Sequence, residues 1–163
     1  GGPTRSCMQP LVPGSLVATV LAAVVAAPVL ADRKPSRSTP TDPAVVMDHY
    51  LGNTWNWSEG GSYWGSGGDF QAIWKGRSYG EGKWYVTTQG TLCYDAVWTG
   101  PNDDGEVGSE EFNLCWRHVT DRDGQVWQKH HEENDWYRLN PEKVSAGNVI
   151  AGEFKRIKSG LAR

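Results

Sequence analysis

The stretch GEGKWYVTTQGTLCYDAVW, residues 80–98, decides the fold. On either side of Thr87-Thr88-Gln89-Gly90-Thr91, large apolar side chains alternate with polar ones, the period of a strand with one buried face. The five-residue centre reads as a type I turn closed by a bulge, because Gly90 tolerates the positive φ that the bulge demands. Thr87 then faces Thr91. Counting outward places Trp84 and Val86 on the same face as Leu92, Tyr94, Ala96 and Trp98.

The next apolar block, FNLCWRH at 112–118, extends this reading through its cysteine. If Cys93 lies opposite Cys115, Leu92 meets Trp116, Tyr94 meets Leu114 and Ala96 meets Phe112, so three strands share one apolar face. A slip of one residue would part the cysteines and mix the faces. The pair therefore reads as a disulfide, and neither cysteine stands in the CxxC spacing that marks a zinc site.

Working outward, alternation broken by glycine predicts strands at 54–57, 68–74, 83–87, 91–98, 111–120, 125–131 and 136–139, with a last one near 153–157. Short connections containing Gly, Asn or Asp imply an antiparallel meander. Ahead of the first strand, Asp42 is an N-cap, Pro43 suits the first helical position and Gly52 the C′ position, so a short helix is expected at 43–51. The expectation is a single all-β domain over 43–163, forming a small barrel or strongly curved sheet. A β-sandwich is the alternative.

Two segments precede that domain. Residues 11–31 form an apolar run without a charge, ending Val29-Leu30-Ala31, which reads as a secretory signal peptide over 1–31; a retained membrane anchor is the competing reading. Residues 32–42, rich in Pro, Ser and Thr, read as a flexible linker. Cleavage would remove Cys7, leave no membrane span and leave Cys93 and Cys115 in an exported chain, periplasmic or secreted, where a disulfide persists.

The 163 residues carry a formal charge of −3, and their Lys and Arg form no stripe interleaved with stacking aromatics, so nucleic acid is not an expected partner. Catalytic signatures are missing: there is no GxSxG elbow, Gly80-Glu81-Gly82-Lys83 lacks the Walker spacing, and His131-Glu132-Glu133-Asn134-Asp135 is not HExxH. No cofactor is implied. Asp121-Arg122-Asp123-Gly124 reads as a hairpin turn rather than a calcium loop.

The chemistry-bearing residues that remain are His118, on the apolar face, and the segment 128–135. A three-residue loop within 121–124 turns His130 and Glu132 inward, whereas a four-residue loop turns Trp127 and His131 inward. His118, His130 or His131, and Glu132 are therefore the candidate metal ligands, since imidazole and carboxylate suit transition metals. Of the nine tryptophans, Trp55, Trp57, Trp74, Trp84, Trp98 and Trp116 fall on inward positions. Most should be core, with one or two near an open mouth where an indole suits a small molecule or a glycan. The candidate ligand set is Trp57, Trp116, His118, His130 and Glu132.

The blocks LGNTWNW (51–57), GEGKWYVTTQGTLCYDAVW (80–98), FNLCWRH (112–118) and DGQVWQKH (123–130) together resemble a bacterial exported family known as domain of unknown function 995. The resemblance spans Tyr50 to about Leu139. It implies an envelope protein and brings no substrate or catalytic role. A short helix leading into a Trp-bearing strand also looks like the start of calycin or lipocalin barrels, an analogy of fold alone. Three functions follow as expectations: a non-enzymatic small-ligand or glycan binding module, a metal-binding protein or metal-dependent enzyme, and a structural envelope protein without a small-molecule site.

Overall fold

A computed structural model describes residues 33–163; the leader at 1–31 and Cys7 lie outside the described residues. The described chain runs β1 (Thr39–Pro40), α1 (Pro43–Tyr50), β2 (Asn53–Trp57), β3 (Gly60–Trp64), β4 (Asp69–Trp74), β5 (Ser78–Val86), β6 (Leu92–Pro101), β7 (Val107–Thr120), β8 (Val126–His130), β9 (Tyr137–Arg138), a 3-10 turn (Pro141–Lys143), β10 (Val144–Ala146) and α2 (Ala151–Leu161). All ten strands belong to one antiparallel sheet, ordered β10-β2-β3-β4-β5-β6-β7-β8-β9 with β1 added beside β7. The sheet curls into a half-barrel. A single continuous sheet replaces the β-sandwich alternative.

The hairpin register expected from residues 80–98 and 112–118 is the observed one. Thr87 N donates to Thr91 O at 2.8 Å. Trp84 pairs with Tyr94 and Val86 with Leu92 across β5 and β6. Between β6 and β7, Leu92 lies opposite Trp116, Cys93 opposite Cys115, Tyr94 opposite Leu114 and Ala96 opposite Phe112. Cys93 and Cys115 are joined by a disulfide. Gly90 has φ +77°, and a Cβ there would stand 2.2 Å from the Thr41 carbonyl oxygen. The turn thus needs glycine for its backbone angle and again for the close passage of the incoming chain.

The half-barrel is filled. Trp64, Trp98 and Trp116 are fully buried, and Trp55, Trp57 and Trp84 join them with Tyr50, Phe70, Leu92, Tyr94 and Leu114 in one cluster. The rings interlock at mixed angles: Phe70 stacks on Tyr94 at 4.2 Å between centroids, and Trp64 meets Trp84 edge-on at 5.7 Å. Such pairs add to the area that each aromatic buries. Val46 and Tyr50 anchor α1 on this cluster.

Three elements differ from the expectation. Residues 153–157 are helical, not a strand: Ile150, Phe154 and Ile157 recur at helical spacing and pack with Ile73 on the outer face of the sheet, with Leu161 half-buried beside them. β3 lies in a stretch with no strand expected, since Gly60-Gly61-Ser62 has little side chain to alternate. Glycine is required at Gly60, where a Cβ would stand 2.1 Å from the Ile73 carbonyl oxygen. The end of the segment read as a linker is tied down, with Thr39 and Pro40 paired to Thr120 and Val119, Thr41 N donating to His118 O, and Thr41 buried.

Candidate functional site

The sheet's first and last strands in spatial order are neighbours in the chain but not in the ladder. Among the described residues β9 pairs only with β8 and β10 only with β2, and a 3-10 turn joins them. At this seam lies a cavity of about 530 Å³, lined by Asp48, His49, Asn53, Trp55, Gly124, Gln125, Val126, Leu139, Pro141, Val144 and Ala146.

Each wall has a local cause. Asp42 caps α1 by accepting from Ala44 N at 2.8 Å, and Gly52 at φ +75° turns the chain from the helix into β2. This reversal lets the His49 carbonyl accept from Trp55 Nε1 at 3.1 Å and from Asn53 Nδ2 at 3.4 Å. Trp55, which lines the cavity, stacks on Tyr50 at 5.1 Å between centroids and belongs with it to the core cluster. On the β2 side of the seam, Asn56 Nδ2 donates to Lys143 O and Ser145 Oγ, Thr54 Oγ1 donates to Gly147 O, and Val149 N donates to Thr54 Oγ1. Two polar side chains of β2 thereby fasten the returning segment. Leu139 N donates to Val126 O at 2.9 Å on the other side.

Behind Trp55 is a buried polar group of three. His118 is 2% and Gln128 1% exposed, and Tyr50 is fully buried. His118 Nδ1 lies 3.0 Å from Trp116 O, so it carries the proton and donates. Nε2 is then an acceptor, taken by the Tyr50 hydroxyl at 2.7 Å. Burial holds the His118 imidazole neutral, with its pKa pushed down to about 3; the Trp116 hydrogen bond opposes this shift and nearby His49 adds to it. At the cavity rim His49 is also shifted down by burial, and Asp48 counters part of the shift.

The residues expected to form a site are placed as follows. Trp57 and Trp116 are core: Trp57 lies 6.3 Å from Trp74 and 6.5 Å from Trp98 by ring centroids, and Trp116 is fully buried. The loop after β7 is the three-residue form, Asp121 N donating to Gln125 O, and His118 faces Gln128 while Trp116 faces His130. His130 is therefore inward, edge-on to Trp116 at 5.2 Å. Its pKa is pushed down to about 4 by burial and then by His131.

Glu132 does not point inward as that loop form implied. β8 stops at His130, leaving Glu132 exposed beyond it, with its backbone N donating to His130 Nδ1 at 3.2 Å. His131 faces outward, where Cys115 N donates to its Nδ1 at 3.0 Å. His130 and His131 stack at 4.6 Å between centroids and His131 Nε2 lies 3.6 Å from Glu132 Oε1, whereas His118 is held apart by Tyr50; among the described residues no three His, Cys, Asp or Glu side chains form a group that could hold a metal.

Asp48, His49, Asn53, Leu139 and Val144 escaped the sequence reading. His49 and Asn53 flank the helix end that was expected, which is the one signal that pointed toward them.

A family model described as "Protein of unknown function (DUF995)" matches residues 16–159. None of the curated proteins compared, and none of the solved structures compared, matches the chain.

Proposed function

The chain belongs to the DUF995 family, and on that premise we propose that it is a non-enzymatic binding module of the cell envelope, holding a small molecule in the seam between β2 with β10 and β8 with β9. The observation that carries this reading is the contrast between a core filled with aromatic rings and a cavity of about 530 Å³ where the first and last strands of the sheet come together without pairing. Ligand sites of small proteins are commonly concave, largely apolar and fitted with a few polar groups, and this volume lies in their range. The Cys93–Cys115 disulfide supports an oxidising compartment, as does the apolar run at 11–31.

The test is a broad fragment screen by ligand-observed NMR on the full chain and on Ala146→Trp, which places an indole in the seam. Binding lost in the variant supports the module. Absence of any fragment whose binding depends on Ala146 overturns it. Localisation is checked separately by fractionating cells that express the full chain, with the mature protein expected outside the cytoplasm and Cys93 linked to Cys115.

A further inference from the structure

The lining of the seam discriminates by charge. Its polar residues are Asp48, His49 and Asn53, from the end of α1 and the start of β2, and Gln125, from the turn that leads into β8. Its aliphatic groups come from the strands around it, above all Val126, Leu139 and Val144. Among the described residues neither Lys nor Arg lines it. An anion entering it would gain no counter-charge from the lining and would be repelled by Asp48. A hydroxyl meets no such repulsion, and it can donate to the carboxylate or amide oxygen and accept from the amide nitrogen.

Building on the binding-module reading above, we infer that the seam selects an uncharged ring compound with hydroxyls along one edge and a C–H face on the other, the chemistry of a neutral pyranoside. The hydroxyl edge lies toward Asp48, His49 and Asn53, and the C–H face toward the aliphatic side chains. The burial that keeps His49 in its neutral form leaves that ring with one donor and one acceptor at neutral pH. The volume accommodates one or two such rings, and the cavity excludes fatty-acid carboxylates and sugar phosphates for the same reason that it admits their neutral counterparts.

The experiment uses the full chain and a panel of neutral disaccharides of different linkage. Each is paired with the uronate in which a carboxylate replaces the C6 hydroxymethyl, and decanoate and butylammonium serve as apolar ions. Binding is read by saturation-transfer NMR and tryptophan fluorescence. At least one neutral disaccharide should bind, its uronate partner should bind roughly tenfold more weakly, Asp48→Asn should narrow that gap, and Ala146→Trp should abolish both. The inference is overturned if a uronate, decanoate or butylammonium binds as tightly as the best neutral sugar, or if no sugar binds. Ionic probes that bind and are displaced by Ala146→Trp would leave the binding module standing while removing the ligand class; probes indifferent to Ala146→Trp would remove both.

Discussion

The Tyr50 hydroxyl lies 2.7 Å from His118 Nε2, and this one bond ties the helix that caps the half-barrel to the longest strand of its wall. Tyr50→Phe removes the donor and keeps the ring, leaving a buried imidazole nitrogen without its partner. The expected cost is about 1–3 kcal/mol, the range for stranding one buried polar group. Urea unfolding checks it: the midpoint should fall with no change in the slope.

Acid should unfold the domain through its buried imidazoles. The folded pKa is about 3 for His118 and about 4 for His130, each below 6.5. The unfolded chain therefore binds more protons than the folded one between those values, so stability is greatest above pH 6.5 and is lost as pH falls toward 4 and then 3. Thermal midpoints from pH 8 to 4 should decline by the equivalent of several kcal/mol. His118→Gln should be less stable at pH 8 yet show a shallower decline; an unchanged pH profile would exclude His118 as the source.

The disulfide closes a loop across a sequence separation of 22. Replacing both cysteines by alanine frees that loop in the unfolded chain and should cost about 3 kcal/mol. The melting temperature of the natural chain should fall similarly on reduction, and that of the double variant should ignore reductant.

Two glycines separate steric need from conformational need. At Gly82 a Cβ would stand 1.9 Å from the Asp95 carbonyl oxygen and 2.7 Å from Ala96 Cα, both backbone atoms that cannot swing aside. Gly82→Ala should cost about 3 kcal/mol or more. At Gly124, φ is +81° with nothing within 4 Å of a Cβ, so Gly124→Ala should cost only about 1 kcal/mol, the strain of the turn. Paired denaturation curves test the ordering.

Residues 107–114 of β7 pair with β6 on one side, while β8 pairs with β7 only over Trp116–Thr120. Glu110 and Glu111, both exposed, put a charge on each face of an edge that no other described strand covers, a device that discourages further strands from adding to it. Glu110→Val with Glu111→Val should leave the fold intact and promote aggregation at high protein concentration, seen as rising light scattering.

The sheet's centre was legible because two constraints coincide there: Gly90 sets the turn, and Cys93 with Cys115 sets the register independently. The last helix could have been read from Ile150, Phe154, Ile157 and Leu161, whose spacing of four, three and four outweighs the local suggestion of a strand. β3 could not, since its pairing is carried by backbone between glycines that offer no side-chain period. The residues expected to form a site lie where they do for a related reason. His118 and His130 face inward, but a core this full of indole leaves an inward imidazole as packing. The seam draws Asp48, Asn53, Val126 and Val144 from distant parts of the chain, and no local pattern marks where a curled sheet will stop short of closing.

The turn at Pro141–Lys143 also bears on how the chain folds. It carries the sequence from one border of the sheet to the other, and the contacts it permits, such as Asn56 with Ser145, span 89 positions. The hairpins from β2 to β8 can each zip locally, whereas this last clasp must await their completion, because only a finished curl brings its two borders within reach. A pulse-labelling hydrogen-exchange experiment should find the amides of 144–147 protected after those of 92–98, so that the seam is the final part of the molecule to acquire its shape.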